Sequence, residues 1–349
     1  MLNRLVTNPR TRVGLLVTCL ICCGYGLYAA WPQAMAALAR LHWYSVTLSL
    51  AAAMAGAWCM MLAWRAILTD LGSPLSLGAS ARACFVAQLG KYVPGAVWAF
   101  AAQVELGHDA GVPRRRGVAA VAVSLAVAVA AGLGVSALTL PLTSPQVTRH
   151  FWWVLAAVPV IALALCPPVL GRLIDRVLTL TARQSLERGP SWGGLARAAG
   201  WTVLGWLAFG TQVWLLLAGM TGRGAAVLLL ATGGYALAYA AGLLLVVFPN
   251  GIGAREIILI AVLSPVVPHG TALAIALAAR LVTTASDLAW GSFGLALSRM
   301  AWAAVEPAAD RSARLDRTHS SWDKSPCQPV TQRGKVAICL RPRPYPRRG

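Results

Sequence analysis

Residues 225–256 read AAVLLLATGGYALAYAAGLLLVVFPNGIGARE, and the fold class turns on this stretch. From Ala225 to Phe248 no side chain is charged, a run longer than the about 20 apolar residues with which a helix crosses a bilayer. It then breaks at Pro249-Asn250-Gly251-Ile252-Gly253, with Arg255 and Glu256 directly behind. Such a run predicts a membrane helix leading into a broken one. Non-helical backbone at membrane depth persists only where protein or a water-filled cavity satisfies its polar groups.

Working outward, composition agrees with a bilayer setting. The 349 residues are 58% hydrophobic and 12% charged, against about 25% charged for soluble chains. Further spans are predicted at Val13 to Trp31, Trp43 to Trp64, Gly117 to Leu140, Phe151 to Leu170, Gly200 to Met220 and Thr271 to Ser298. A second broken segment runs from Ala83 to Val104, interrupted by Gly90-Lys91-Tyr92-Val93-Pro94-Gly95, and the first break leads into a short run from Ala254 to Val267. The expected fold is all-α: a polytopic transmembrane helical bundle of about 8 spans with one or two broken or re-entrant segments.

The formal charge of +19 divides into +7 from Arg299 to Gly349 and +12 elsewhere. Excess Lys and Arg in a membrane protein lies in cytoplasmic loops. The N-terminal arginines, the Arg65 to Arg82 connection, Arg114-Arg115-Arg116, the loop bearing Arg172 to Arg197 and the tail are therefore expected to be cytoplasmic, placing the protein in the cell (inner) membrane with both termini inside. Reconciling these sides makes Ala83 to Val104 a re-entrant hairpin and requires Ala254 to Val267 to cross. Three parts follow: a cytoplasmic segment 1–12, a transmembrane region 13–300, and a basic tail 301–349 whose Pro, Ser, Arg and Asp content predicts disorder. Nucleic acid is not an expected partner.

The eight cysteines and five histidines have no metal-ligand spacing, and no cofactor is expected. Charges inside spans are costly and mark function. Here they gather at the two breaks and on the last span: Gln88, Lys91 and Tyr92 at one, Asn250, Arg255 and Glu256 at the other. Arg280 and Asp287 lie on nearly one helical face, roughly 10 Å apart along the axis. A helix starting after Pro94-Gly95 or after Gly251 to Gly253 offers unpaired N–H groups and a positive dipole end. With Lys91 or Arg255 beside it, that end suits the phosphate of a lipid headgroup. Arg280 and Asp287 are expected to meet Glu256, Arg255 or Lys91 across the bundle.

Gln88-Leu89-Gly90-Lys91-Tyr92-Val93-Pro94-Gly95-Ala96-Val97-Trp98 and Phe248-Pro249-Asn250-Gly251-Ile252-Gly253-Ala254-Arg255-Glu256 resemble the two signature segments of the lysylphosphatidylglycerol synthase transmembrane-region family, also called flippase-like. The resemblance covers about residues 10 to 300 and implies an inner-membrane protein that moves or accommodates lipid. It implies a lipid cavity lined by Gln88, Lys91, Tyr92, Pro94, Gly95, Trp98, Pro249, Gly251, Gly253, Arg255 and Glu256. Asn250 stands where glycine is common in the family. The full-length synthases carry a soluble aminoacyl-transferase domain that this chain lacks, so lysyl transfer is not expected.

The leading expectation is a non-enzymatic translocase for an anionic phospholipid or a polyprenyl phosphate. Its rivals are a membrane enzyme acting on lipid-linked sugars or headgroups, and an accessory subunit that positions lipid for a separate synthase or glycosyltransferase. No P-loop is present, so ATP coupling within the chain is not expected.

Overall fold

With no water in the hydrocarbon core, a segment must satisfy its own N–H and C=O groups, and the Ala-, Leu- and Val-rich runs do so as helices. The computed structural model describes residues 39, 42–92, 98–143, 189–221, 224–244 and 253–322. Among these residues are eight α-helices and no strand: α1 (Trp43–Asp70), α2 (Leu77–Leu89), α3 (Trp98–Asp109), α4 (Arg114–Thr139), α5 (Trp192–Thr221), α6 (Ala225–Leu244), α7 (Ala254–Leu263) and α8 (His269–Trp322). The chain divides into two compact units, 1–298 and 299–349, and the bundle is the first. Helical backbone reaches Trp322, past the expected boundary at 300, because residues 301–322 are rich in Ala and Arg, good helix formers even without a core to bury. Residues 323–349 lie outside the described residues.

Five helices are long and apolar enough to cross a membrane: Trp43–Asp70, Arg114–Leu142, Trp192–Ala218, Ala225–Leu243 and His269–Leu297. They correspond to five of the seven clear expected spans; Val13 to Trp31 and Phe151 to Leu170 lie outside the described residues. The described residues thus carry five candidate spans rather than about eight.

Small residues set the helix contacts. α1 and α5 run antiparallel, with Gly56 against the Phe209 ring, Gly205 against Met60, and the Ser49 hydroxyl donating to the Gln212 carbonyl at 3.0 Å. Gly210 of α5 lies on the backbone of Thr232 in α6. α4 meets α6 where Gly132 faces Ala236, and Ser136 Oγ donates to the Gly233 carbonyl at 2.9 Å. In lipid, helices associate through such close packing and interhelical hydrogen bonds, because tails are as apolar as leucine.

One end of the bundle collects the arginine-bearing connections. Asp70 accepts from the Ser191 N–H at 2.7 Å, and Arg116 Nη1 donates to the Gly72 carbonyl at 3.0 Å. These contacts bring the end of α1 and the starts of α4 and α5 together with Arg65, Arg114 and Arg115.

Two pairs of elements depart from simple spanning. At 13 and 12 residues, α2 and α3 are about 20 and 18 Å long. They lie antiparallel: Gly90 approaches the Ala99 backbone, and Gln103 Nε2 donates to Cys84 Sγ at 3.2 Å. This is the hairpin expected of Ala83 to Val104, with residues 93–97 outside the described residues. α7, with ten residues, is about 15 Å long, half of a ~30 Å hydrocarbon core. Gly242 faces Arg255 and Gly234 faces Val262, so α7 runs back along α6 and stops beside its middle. The expected crossing from Ala254 to Val267 is therefore corrected to a half-length helix, after which the chain turns at Ser264–Val267 into α8.

These short helices share one track. Leu89 packs on Gly291 and Val86 on Gly294, while Glu256 reaches Arg280. Hence α2 lies antiparallel along the C-terminal half of the His269–Leu297 span and α7 along its N-terminal half. Their facing ends meet beside the middle of that span.

Candidate functional site

Helical periodicity puts Arg280, Thr283, Thr284 and Asp287 on one face of α8, at spacings of three, four and seven. The end of α2 tightens into a 3₁₀ turn, Gly90–Tyr92, which delivers Lys91 and Tyr92 to that face. α7 delivers Arg255 and Glu256 from the opposite direction. Its entry depends on Gly253, whose φ of +88° lies in the left-handed region that side chains disfavour.

Lys91 Nζ lies 2.5 Å from Asp287 Oδ2, and the Tyr92 hydroxyl donates to the same oxygen at 2.9 Å. Asp287 is only 7% exposed, and both partners converge on one of its oxygens. Glu256 Oε2 accepts the Gly253 N–H at 2.8 Å, and its other oxygen lies 3.6 Å from Arg280 Nη1. Arg255 is different. Its guanidinium carbon sits 3.8 Å from the centre of the Tyr239 ring, and its buried Nε has no hydrogen-bond partner among the described residues. Nor does it have a carboxylate partner among them. Cation–π stacking holds the plane of the guanidinium while leaving its charge uncompensated.

The cluster holds three cations, Lys91, Arg255 and Arg280, against two carboxylates, Glu256 and Asp287. Among the described residues its formal charge is therefore +1, and residues 93–97 and 245–252, next to it in the chain, contain no charged residue. These side chains, with Tyr235, Tyr239, Thr283 and Thr284, line a cavity of about 30 Å³. That is room for a water or two. The low-dielectric surroundings strengthen both ion pairs and make the unmatched cation a strong attractor of an anion.

The sequence-derived residues divide as follows. Lys91, Tyr92, Arg255, Glu256, Arg280 and Asp287 line this one cavity, and Arg280 and Asp287 do meet Glu256 and Lys91 across the bundle. Gln88 lines instead a second cavity of about 120 Å³, beside Trp64, Phe85 and Gln103. Trp98, implied as a lining residue, is 58% exposed and borders neither. Pro94, Gly95, Pro249, Asn250 and Gly251 lie outside the described residues, while Gly253 shapes the start of α7. At the α7 N-terminus, expected to receive the phosphate, Glu256 accepts the N–H of Gly253, the residue before the helix. Lys91 is paired with Asp287, and Arg255 is the cation of the cluster without a carboxylate among the described residues.

Tyr235, Tyr239, Thr283 and Thr284 were not singled out by sequence. Tyr235 and Tyr239, four residues apart, share a face of α6, and both threonines fall between Arg280 and Asp287; that spacing was the available signal. Gln212 supports the site from α5, its Nε2 donating to the Ala279 carbonyl at 2.8 Å and to Thr283 at 3.1 Å. Glu105 lies away from the cavity. Arg114 donates to both of its carboxylate oxygens, at 2.9 and 2.8 Å, and holds its carboxyl below the usual range.

Comparison with known families adds a long match: a family model described as the lysylphosphatidylglycerol synthase TM region matches residues 13–291. A search of curated proteins finds no match.

Proposed function

Since the chain belongs to the lysylphosphatidylglycerol synthase TM-region family, we propose that it binds the phosphate of a membrane lipid at mid-bundle and carries that lipid between leaflets without chemical conversion. The observation that supports this reading is Arg255: a cation stacked on Tyr239, without a carboxylate partner among the described residues, beside the middle of the His269–Leu297 span. An anionic phospholipid or a polyprenyl phosphate supplies the missing charge.

The cavity is far too small for a headgroup. Entry requires the Gly90–Tyr92 turn and the start of α7 to part from α8. Parting exposes Lys91 and Arg280 as their carboxylates separate from them, and the phosphate replaces those contacts one for one. Such an exchange keeps every buried charge matched through the movement, which lowers the cost of carrying a phosphate through the core. Glu256 and Asp287, the acids nearest the cavity, are each engaged with a cation, an arrangement suited to gating more than to proton transfer.

The full-length protein, reconstituted in vesicles, is expected to accelerate leaflet exchange of fluorescent phosphatidylglycerol or polyprenyl phosphate. Arg255→Ala is expected to slow exchange about tenfold, the loss of a charge-assisted contact. Absence of acceleration with both lipids would overturn the reading. Lipid that copurifies with the protein identifies which class is carried.

A further inference from the structure

Charge, geometry and size together select what the mid-bundle cavity takes when no lipid is bound. Lys91, Arg255 and Arg280 line it with Glu256 and Asp287, and the two carboxylates are engaged by Arg280 and Lys91. Arg255 has no carboxylate among the described residues. Burial makes an uncompensated charge costly, and most ionisable groups escape that cost by changing their protonation. Arginine does not, because its guanidinium keeps its proton in proteins. Compensation therefore has to come from an anion.

The way Arg255 is held leaves one end of it for that anion. Its guanidinium carbon lies 3.8 Å from the centre of the Tyr239 ring, and a Cβ on Gly242 would stand 2.8 Å from its Nε. The Nε is buried against this stretch of α6. The terminal amino groups are the end left to the cavity that Arg255 lines. Stacking sets their direction without consuming their N–H groups.

Size narrows the anion. The cavity is about 30 Å³, room for a water or two. A monatomic anion little larger than water fits there. A tetrahedral oxyanion such as sulfate does not.

We infer that this cavity is a binding site for a single halide, chloride under ordinary salt conditions, held by Arg255 as its counter-ion and displaced when a lipid phosphate enters. Occupancy by the halide stands on the charge and size of the cavity, while displacement rests on the proposed phosphate site.

The experiment measures binding of radioactive chloride to the full-length protein in detergent, at constant ionic strength in a gluconate background. Saturable binding is expected at one ion per chain, displaced by bromide and not by sulfate. Arg255→Met is expected to weaken it roughly tenfold or more, the loss of a charge-assisted contact. Arg115→Gln, a change away from the cavity, is expected to leave it intact. The ranking of bromide over sulfate is read in wild type and so decides the matter even if Arg255→Met fails to fold: arginines on the surface favour the divalent ion. Absence of saturable binding, displacement by sulfate as readily as by bromide, or full binding by folded Arg255→Met overturns the halide site. Leaflet exchange in vesicles supplies the other half, and replacing gluconate by chloride is expected to slow it as the site fills. Exchange indifferent to saturating chloride overturns the displacement. Halide binding by a protein that moves neither phosphatidylglycerol nor polyprenyl phosphate keeps the halide site and overturns the lipid reading, and with it the displacement.

Discussion

The seam between α1 and α5 and the junction of α2, α7 and α8 are built from similarly apolar sequence, yet they do opposite things. Along the first, Gly56 and Gly205 remove side chains so that the helices approach closely, as Gly210 does where α5 meets α6. The polar contacts of the seam are local: the Ser49 hydroxyl on the Gln212 carbonyl within it, and Asp70 with the Ser191 N–H at its end. At the second, helices stop halfway and their ends hold two ion pairs, an unmatched arginine and a cavity. Continuous helices with small residues give tight, static packing; interrupted helices leave polar ends that must be met by ions. Stability belongs to the seam and movement to the junction.

That contrast can be broken by substitution, taken in descending order of destabilisation. Gly210→Leu drives a side chain into the Thr232 backbone, where neither helix can yield, and is expected to cost about 3 kcal/mol or more. The check is the folded fraction in detergent by size exclusion and thermal denaturation; a near-native melting curve would show that the seam tolerates separation. Asp287→Ala strands Lys91 and is expected to cost about 2 kcal/mol, below the range for fully buried pairs because Lys91 retains partial exposure. The double variant Lys91→Met with Asp287→Leu is expected to regain most of that loss while abolishing lipid exchange. Recovery of exchange in the double variant would mean that the pair is merely structural.

Gly242→Ala sharpens the contrast further. Its Cβ would lie 2.6 Å from Arg255 Cγ, so Arg255 must leave the Tyr239 ring. The expected loss of stability is about 1 kcal/mol, with lipid exchange falling nearly as far as in Arg255→Ala. Stability without loss of exchange would separate the stacked geometry from function. The smallest effect is expected at Glu105, a fully exposed partner of Arg114. Its lowered carboxyl pKa means that any stabilisation is present at neutral pH and fades as pH falls through the folded value, below the ordinary carboxylate range. The melting difference between wild type and Glu105→Gln is thus expected to be a degree or less at pH 7 and to vanish in strong acid.

Particular residues mark how far sequence reading reached. Lys91, Arg255, Glu256, Arg280 and Asp287 stood out because a charge inside an apolar run is conspicuous in a single sequence. Five spans were equally visible, since twenty apolar residues in a bilayer admit essentially one conformation. Pairing was less legible. That Lys91 takes Asp287 and Glu256 takes Arg280, leaving Arg255 unmatched, depends on α2 and α7 approaching α8 from opposite ends. Tyr239 was hidden because an aromatic in an apolar helix reads as packing until its neighbours are known. The half-length of α7 was misread for a similar reason: an apolar run from Ala254 to Val267 has the composition of a crossing, and its stop beside the middle of α6 is set by the turn at Ser264–Val267.

By itself, then, the sequence determined a polytopic helical membrane protein, the two places where its helices break, and the charged residues near them. These are consequences of composition along the chain, acting through the cost of placing unpaired backbone or charge in hydrocarbon. Only the tertiary structure decided which of those charges pair and, among the described residues, which lacks a carboxylate. Those properties depend on distances between residues such as Lys91 and Asp287, nearly two hundred positions apart, that packing alone brings within a few ångströms.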